Sequence, residues 1–335
     1  MPEGPVAMFA MTAENVTRIF PADTLARLRE LVDIDPSAVA GDFTDPRVRA
    51  RLADTEILIT GWGCPVLDAD TLDAAPKLRA VLHAAGSVKG FATPAVWERG
   101  ILVSSAAAAN ALPVAEYTLA MILLAGKNVF AHRERLRAER AFPYGEILPG
   151  IGNFGRRVGI VGASRIGRRL IELLRPFDLS VSLADPYVDE AGAAALGVRP
   201  LPLDELLADS DIVTVHAPQT PETRHLIGRR ELALMPAGAV LINTARGSLV
   251  DHDALVGALR AGRVGAILDV TDPEPLPVDS PLYDLPNAFV TPHLAGSQGN
   301  EVARLGLTVL AETERVLSGR APEFRIDRED LERTA

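Results

Sequence analysis

The chain has 335 residues, of which 48% are hydrophobic, and its formal net charge is −10. Because a single core usually divides above ~250–300 residues, this length predicts two domains. The acidic balance argues against a nucleic-acid or anionic membrane surface, since such surfaces need clustered Lys and Arg, and it favours small-molecule partners.

The cysteine content and the apolar runs indicate the compartment. The single cysteine, Cys64, excludes an internal disulfide and fits a reducing cytoplasm. The apolar runs at residues 6–11 and 112–126 are too short to span a bilayer, and the first has no basic leader. We therefore expect a cytoplasmic protein without a membrane partner, in which residues 112–126 form a buried helix.

The first third of the chain alternates helical and strand patterns, with Pro and Gly between them. The predicted elements are a helix at 23–31 and strands at 57–60, 80–83 and 101–104. This alternation predicts an α/β domain with its own parallel sheet. A long helix at 112–129 is predicted to open a second domain, and the charged stretch at 132–140 is either a solvated helical face or a subunit contact.

A βαβ unit follows at residues 156–187. Gly162, Ser164 and Gly167 occupy the positions where a dinucleotide-binding turn has its three glycines. Asp185 ends the next strand, 18 residues after Gly167, where a carboxylate accepts hydrogen bonds from an adenosine ribose. An acid there favours NAD over NADP, since a 2′-phosphate would meet like charge. A βα turn without a ligand is the alternative.

The rest of the chain continues the alternation. The predicted strands lie at 212–216, 240–243, 265–270 and 288–290, and the predicted helices lie at 229–234, 253–261 and 300–317. This pattern predicts a doubly wound sheet whose ligands bind at the carboxyl ends of its strands. We expect the last helix to pack back on the first domain.

Three polar motifs stand directly after strands of the second domain. They are Asn-Thr-Ala-Arg-Gly at 243–247, Leu-Asp-Val-Thr-Asp-Pro-Glu-Pro at 268–275 and Thr-Pro-His at 291–293. Together with the dinucleotide turn, these motifs resemble the D-isomer-specific 2-hydroxyacid dehydrogenase family. The resemblance runs from about residue 54 to residue 319.

This resemblance implies a fold, a reaction and an assembly. The fold is α/β with two doubly wound parallel-sheet domains, a flavodoxin-like catalytic domain at 1–110 and 296–335 and an inserted Rossmann NAD-binding domain at 111–295. The reaction is NAD-dependent hydride transfer between nicotinamide and C2 of a D-2-hydroxy acid or 2-oxo acid, bound in the cleft between the domains. The assembly is a homodimer.

Residue by residue, Arg246, Glu274 and His293 take the family's arginine, glutamate and histidine positions. A 2-oxo acid needs its carboxylate fixed and its carbonyl polarised, and the planar guanidinium of Arg246 suits both tasks. Hydride arriving at C2 leaves negative charge on oxygen, so His293 is expected to donate the proton and to act as base in reverse. Glu274 would fix the imidazole tautomer, whereas related formate dehydrogenases have glutamine there. Asp272 is a nearby second acid whose spacing fits the family less well.

The resemblance also implies the binding residues. Further cofactor contacts would come from Arg165, Ile166, His216, Ala217, Pro218, Thr223, Thr244, Ala245, Asp269 and Gly296. The substrate carboxylate would be held by backbone N–H groups of Ala85, Gly86, Ser87 and Val88, which need no charge of their own. Lys89 follows this loop, and it either faces a second anionic group or is simply solvated.

Two rival interpretations stay open at this point. One is a dinucleotide-sensing regulator of the same fold, although a sensor has no need for a proton donor. The other is a phosphite-type dehydrogenase on the same scaffold. No metal site is expected.

Overall fold

The computed structural model describes residues 4–140, 148 and 150–332. Its strands are β1 (Ala7–Ala10), β2 (Ile57–Thr60), β3 (Ala80–His83), β4 (Leu102–Ser105), β5 (Arg156–Val161), β6 (Leu179–Ala184), β7 (Arg199–Pro200), β8 (Ile212–Val215), β9 (Ala239–Asn243), β10 (Val264–Leu268) and β11 (Ala288–Val290). Its α-helices are α1 (Ala13–Ile19), α2 (Ala22–Leu31), α3 (Pro46–Leu52), α4 (Ala69–Asp73), α5 (Pro94–Glu98), α6 (Ala107–Gly126), α7 (Val129–Glu139), α8 (Arg165–Leu174), α9 (Glu190–Leu196), α10 (Leu203–Asp209), α11 (Arg229–Leu234), α12 (His252–Arg260) and α13 (Ala303–Leu317).

The chain forms two compact units. The first unit comprises Met1–Asn110 and Ser297–Ala335, and the second comprises Ala111–Gly296. Each unit has a parallel sheet with its own apolar cores. The predicted α/β class with two parallel sheets is therefore confirmed.

The sheet of the first unit is parallel and has the order β1-β2-β3-β4. An isolated bridge between Phe9 and Val39 extends the pairing beyond β1. Successive residues of a strand point to opposite faces, so Phe9 joins one apolar core and its neighbour Met8 joins another. Because both faces are covered, the strands β1 to β3 are mostly apolar, as buried parallel strands usually are.

Helix α13 packs on the first unit, as predicted. Leu305 and Val309 join the core that also contains Phe9 and Ile19. Gly306 allows this close approach, since a Cβ there would lie 2.1 Å from the carbonyl oxygen of Ile19. The last segments of the chain therefore complete a core that the first segments begin.

The sheet of the second unit is also parallel and has the order β7-β6-β5-β8-β9-β10-β11. The strand order reverses between β5 and β8, where doubly wound sheets bind their ligands. Apolar cores cover both faces; Val213 belongs to one of them and its neighbour Ile212 to the other. The carboxyl edge of this sheet is consequently the place to look for a site.

Helix α6 differs from the prediction. It spans Ala107–Gly126, which is 20 residues, rather than 112–129, and it contains Pro113. By length and composition alone it is sufficient to cross a bilayer, with a mean hydropathy of 1.4, and 33% of that window is buried. The helix is therefore longer than the predicted stretch and only partly buried, and core helices of soluble proteins pass the same test.

Candidate active site

The three polar motifs meet at one edge of the second unit's sheet. Asn243, Leu268 and Val290 end the neighbouring strands β9, β10 and β11, and the strand register places these residues side by side. Because the strands are parallel, the segments that follow them emerge at the same edge. The motifs are separated by tens of residues in sequence, but here they are adjacent.

The first segment presents Arg246. Oδ1 of Asn243 accepts a hydrogen bond from the N–H of Ala245 at 3.0 Å, and its Nδ2 donates to the carbonyl of Arg246 at 2.8 Å. Gly247 packs backbone to backbone, since a Cβ there would lie 2.0 Å from the carbonyl of Thr271. The Arg246 side chain is mostly buried, and burial lowers its pKa while the Glu274 carboxylate acts in the opposite direction. A charge held in such surroundings attracts anions more strongly than one in water.

The second and third segments bring Glu274 and His293 together. Nδ1 of His293 lies 2.6 Å from Oε1 of Glu274, and the two side chains are 50% and 42% exposed. An ionised carboxylate only accepts hydrogen bonds, so Nδ1 carries the proton and Nε2 is the basic nitrogen of the neutral ring. The exposed Nε2 can therefore exchange a proton with a bound molecule.

His293 also has an unusual backbone conformation. Its φ is +51°, in the left-handed region, where a residue other than glycine costs about 1–3 kcal/mol. Its N–H donates to the carbonyls of Asp269 at 2.9 Å and of Thr291 at 3.0 Å. These two bonds fix the backbone at His293 and therefore the direction in which its imidazole projects.

The Asp269 carboxylate stabilises the segment around His293 through three hydrogen bonds. It is 2% exposed, and it accepts from the Thr291 hydroxyl at 2.6 Å and from the N–H groups of Leu294 and Ala295 at 2.9 Å each. The sequence predicted Asp269 beside the nicotinamide but did not predict these bonds. The Thr-Pro-His motif was the available signal for Thr291, whereas nothing in the sequence pointed to the N–H donors.

The predicted dinucleotide turn lies between β5 and α8. Gly162 has φ +100°, and a Cβ there would lie 2.6 Å from the backbone nitrogen of Ala217. A Cβ on Gly167 would lie 2.2 Å from the carbonyl oxygen of Gly162. Ser164 caps the helix by accepting from the N–H of Gly167 at 3.3 Å. The two glycines are required by contacts within the turn, and serine serves as the cap.

Asp185 ties the end of β6 to this turn. Its Oδ2 accepts from the N–H of Ala163 at 2.6 Å, and its Oδ1 accepts from the N–H of Tyr187 at 2.8 Å. A carboxylate has about four acceptor sites, so two remain for a ligand. Asp185 therefore supports the turn and keeps capacity for hydroxyl donors.

The segment after β8 lines the other side of the turn. His216 is 2% exposed, and burial lowers its pKa to about 3, so its ring is neutral. Its Nε2 bonds the Thr214 hydroxyl at 2.9 Å, whereas its buried Nδ1 has no partner among the described residues. The Thr223 hydroxyl donates to the carbonyl of Pro218 at 2.7 Å, which closes the loop that follows.

These residues fit a dinucleotide. As the first two residues of α8, Arg165 and Ile166 have N–H groups without an intrahelical acceptor, and the described residues provide no other acceptor for them. Such donors, with the positive end of the helix dipole, suit a pyrophosphate. The unpartnered Nδ1 of His216 and the remaining acceptor sites of Asp185 are further polar groups for the same ligand.

The first unit contains the predicted substrate loop, after β3. Ser105 donates its hydroxyl to the carbonyl of Gly86 at 2.9 Å. Nδ1 of His83 forms a hydrogen bond with the Thr60 hydroxyl at 2.9 Å. Burial lowers the pKa of His83 to about 3, while a hydrogen bond to the Ser87 backbone raises this pKa by a smaller amount. In the described part of the chain, the N–H groups of residues 85–88 have no acceptor. Unpaired backbone donors of this kind form anion sites.

The part of the chain that the structure describes contains no group of three His, Cys, Asp or Glu side chains able to hold a metal ion. The combination of a Rossmann sheet, a dinucleotide turn and a carboxylate-bound histidine at the sheet edge is that of the dinucleotide-dependent dehydrogenases as a class.

Comparison with known proteins defines the family. The model of the "D-isomer specific 2-hydroxyacid dehydrogenase, NAD binding domain" matches residues 119–295. A glyoxylate reductase of Korarchaeum cryptofilum is 31% identical over 323 residues, covering 94% of this chain and 95% of that protein. The chain belongs to the D-isomer-specific 2-hydroxyacid dehydrogenase family, and the predicted family and its cofactor, NAD, are confirmed.

Two further relatives extend this comparison. The D-3-phosphoglycerate dehydrogenase of Mycobacterium bovis is 40% identical over 297 residues, which cover 88% of this chain and 55% of that protein. The chain thus spans about half the length of that relative. A crystal structure of a phosphoglycerate oxidoreductase from Rhizobium etli superposes with a TM-score of 0.84 at 26% identity, covering 98% of this chain and 99% of that one.

Proposed function

We propose that this protein is a cytoplasmic, NAD-dependent dehydrogenase that interconverts a D-2-hydroxy acid and its 2-oxo acid. The observation that carries the proposal is the 2.6 Å hydrogen bond from Nδ1 of His293 to Glu274, at the sheet edge that also presents Arg246. This bond leaves Nε2 as the group that exchanges a proton. A regulator that only senses a dinucleotide has no use for such an arrangement.

In the proposed reaction His293 moves the proton. Bound NAD supplies the hydride acceptor, and in its reduced form the hydride donor. During reduction Nε2 protonates the oxygen at C2, and during oxidation it removes the hydroxyl proton. The Glu274 carboxylate keeps Nδ1 protonated and stabilises the imidazolium by opposite charge.

Substrate binding is assigned to two groups of residues. Arg246 would orient the substrate and polarise its carbonyl, because its fork offers two parallel N–H donors. The N–H groups of Ala85, Gly86, Ser87 and Val88 would hold the carboxylate. This assignment gives the first unit the substrate role and the second unit the cofactor role.

The cofactor-binding residues would divide by position along the dinucleotide. Arg165 and Ile166 would hold the pyrophosphate, and Asp185 the adenosine ribose. The adenosine side would be lined by His216, Ala217 and Pro218, held by Thr223. The nicotinamide would be bordered by Thr244, Ala245, Asp269 and Gly296.

A homodimer is proposed as the assembly. Helix α6 supports it, because most of its apolar window is only partly buried within the single chain, and apolar surface left accessible often marks an interface. Size-exclusion chromatography with light scattering tests this point, since a monomer at micromolar concentration would contradict it.

The activity is tested by NADH oxidation with glyoxylate, pyruvate and hydroxypyruvate. The wild-type protein should turn over at least one of them, and His293→Asn should bind NADH normally while kcat falls by about 10²–10⁴. Near-normal turnover of His293→Asn would remove His293 from its role. Phosphite-dependent reduction of NAD, without activity on any 2-oxo acid, would replace the proposed reaction with phosphite oxidation.

A further inference from the structure

Helix α6 contributes a side chain to the hydrogen bonds around His293. The hydroxyl oxygen of Tyr117 lies 2.7 Å from Oγ1 of Thr291, and Oγ1 of Thr291 lies 2.6 Å from Oδ1 of Asp269. These two bonds form a continuous chain from the helix to the buried carboxylate. Tyr117 lies outside residues 119–295, which the family model matches.

The donor in each of these two hydrogen bonds follows from the number of protons that each side chain carries. Asp269 only accepts when it is ionised, so Thr291 donates its one hydroxyl proton to Asp269. Thr291 then has only lone pairs to offer Tyr117, and Tyr117 must be the donor. Burial raises the pKa of the Tyr117 phenol and the charge of Asp269 raises it further, although the bond to Thr291 lowers it, so the phenol keeps its proton at neutral pH.

This chain of hydrogen bonds ends at Asp269, which also bonds residues on both sides of His293. Asp269 accepts from Thr291 on one side of His293 and from Leu294 and Ala295 on the other. Its carbonyl also accepts the N–H of His293 itself. Hydrogen bonds in such chains polarise one another, so a donor to Thr291 strengthens the bond from Thr291 to Asp269.

We propose that Tyr117 is a positioning residue for His293 and acts through Thr291 and Asp269. Its effect on turnover rests on the proposed function, in which His293 transfers the proton. Without the phenol, the half-buried Thr291 hydroxyl lacks a donor, its bond to Asp269 weakens, and the left-handed conformation of His293 is held less firmly. Tyr117 therefore tunes the placement of the imidazole and leaves the binding of cofactor and substrate alone.

Kinetics provide the first test. Tyr117→Phe should lower kcat roughly 2- to 10-fold, the range expected for one net hydrogen bond, while the KM for the 2-oxo acid and the Kd for NADH stay within about twofold. Tyr283→Phe is the matched control, because it removes another tyrosine hydroxyl of the second unit, bonded to the carbonyl of Leu276 at 3.2 Å. This control should leave kcat unchanged.

Variants of Thr291 determine whether the effect of Tyr117→Phe on kcat passes through the hydrogen bonds from Tyr117 to Thr291 and Asp269. Thr291→Val removes the link, so adding Tyr117→Phe to it should change kcat less than about twofold. Thr291→Ser keeps the hydroxyl and should restore the full effect of Tyr117→Phe. An equal loss from Tyr117→Phe in the presence and absence of Thr291→Val would overturn the proposal.

A readout that does not depend on turnover separates this inference from the proposed function. The chain has six histidines, so the imidazole signals in a ¹⁵N–¹H NMR spectrum are few, and His293→Asn assigns those of His293. Tyr117→Phe should shift the His293 signals, and Tyr283→Phe should not. Unshifted signals would refute the positioning role even if the protein is an active dehydrogenase. Shifted signals without turnover on any 2-oxo acid would instead refute the dehydrogenase.

Discussion

Two segments that follow parallel strands, residues 85–88 in the first unit and 291–295 in the second, use their backbone in opposite ways. The N–H groups of residues 85–88 have no acceptor in the described part of the chain, and the loop is supported by the neutral side chain of His83. Leu294 and Ala295, in contrast, donate their N–H groups to the Asp269 carboxylate. The first segment leaves its N–H groups unpaired among the described residues, as an anion-binding loop does, whereas the second uses its N–H groups to orient a side chain.

This comparison leads to a general expectation about substitutions. Where side chains do the chemistry, replacing one should reduce activity by orders of magnitude. Where the backbone does the binding, the nearby side chains should matter mainly for stability.

Replacing Arg246 should have the largest effect. Arg246→Gln keeps a polar side chain but removes the charge and the paired donors, so kcat/KM for a 2-oxo acid should fall about 10²–10³-fold. The control is Arg230→Gln, which breaks an exposed ion pair with Asp204 and should change kcat/KM less than twofold. Comparable kinetics for the two variants would place Arg246 outside the site.

Glu274 should matter clearly more than its neighbour Asp272. Glu274→Gln removes the charge that favours the imidazolium, so kcat should fall about 10- to 100-fold, as expected for a hydrogen bond to a charged group. Asp272 makes only a 3.5 Å ion pair with the exposed Arg224, and Asp272→Asn should stay within about twofold. If Asp272→Asn were the more damaging change, the assignment of the histidine's partner would be reversed.

Asp185 should affect cofactor choice by about tenfold or more, because one hydrogen bond to a charged group contributes ~1.5–3 kcal/mol. Asp185→Asn keeps an oxygen for the N–H of Ala163, so the turn should persist while the preference for NAD over NADP declines. Asp185→Ala removes the oxygen as well and should weaken binding of both dinucleotides. Fluorescence titration with NADH and NADPH measures both effects, and an unchanged ratio in the Asn variant would exclude Asp185 from the ribose site.

The two buried histidines should make stability depend on pH with the same sign in both units. Folding lowers the pKa of His83 and of His216 from 6.5 to about 3 through burial. The unfolded chain therefore binds protons that the folded chain does not, so this stability is complete above pH 6.5 and is lost as the pH falls towards 3. Each histidine contributes a slope of about 1.4 kcal/mol per pH unit in that interval.

Urea unfolding between pH 4 and 8 measures these slopes. His83→Gln and His216→Gln should each flatten the fall in unfolding free energy below pH 6.5, whatever their stability at pH 7. His132→Gln is a suitable control, because helix α7, which carries His132, has no buried residue. If neither substitution changes the slope of unfolding free energy against pH, the two imidazoles are charged in the folded protein.

The sequence predicts strands best where a short apolar run lies between polar turns. The strands predicted at 57–60, 80–83 and 288–290 have the observed bounds, because short apolar runs between polar turns leave little choice of register. The start of α6 was missed: the observed helix begins five residues before the predicted position and contains Pro113, which the first turn of a helix would tolerate better than its interior. Residues 299–302 form a 3-10 turn rather than the start of α13, a distinction that periodicity does not resolve.

The sequence predicted which polar residues lie at the sheet edge but not which residues support them. Arg246, Glu274 and His293 have a chemistry that their residue types reveal. Asn243 supports Arg246 through backbone bonds, and Tyr117 reaches Thr291 across 174 positions of sequence. No local pattern encodes such contacts, because they depend on how distant elements pack.

The return of α13 to the first unit has a consequence for biosynthesis. A ribosome releases residues 111–296 as one continuous piece, and the core of that piece needs nothing that is made later. The core containing Phe9 waits for Leu305 and Val309, which are translated some three hundred codons afterwards. During synthesis the second unit is therefore able to finish first, and the segment around Phe9 remains exposed to chaperones until Leu305 and Val309 have been made.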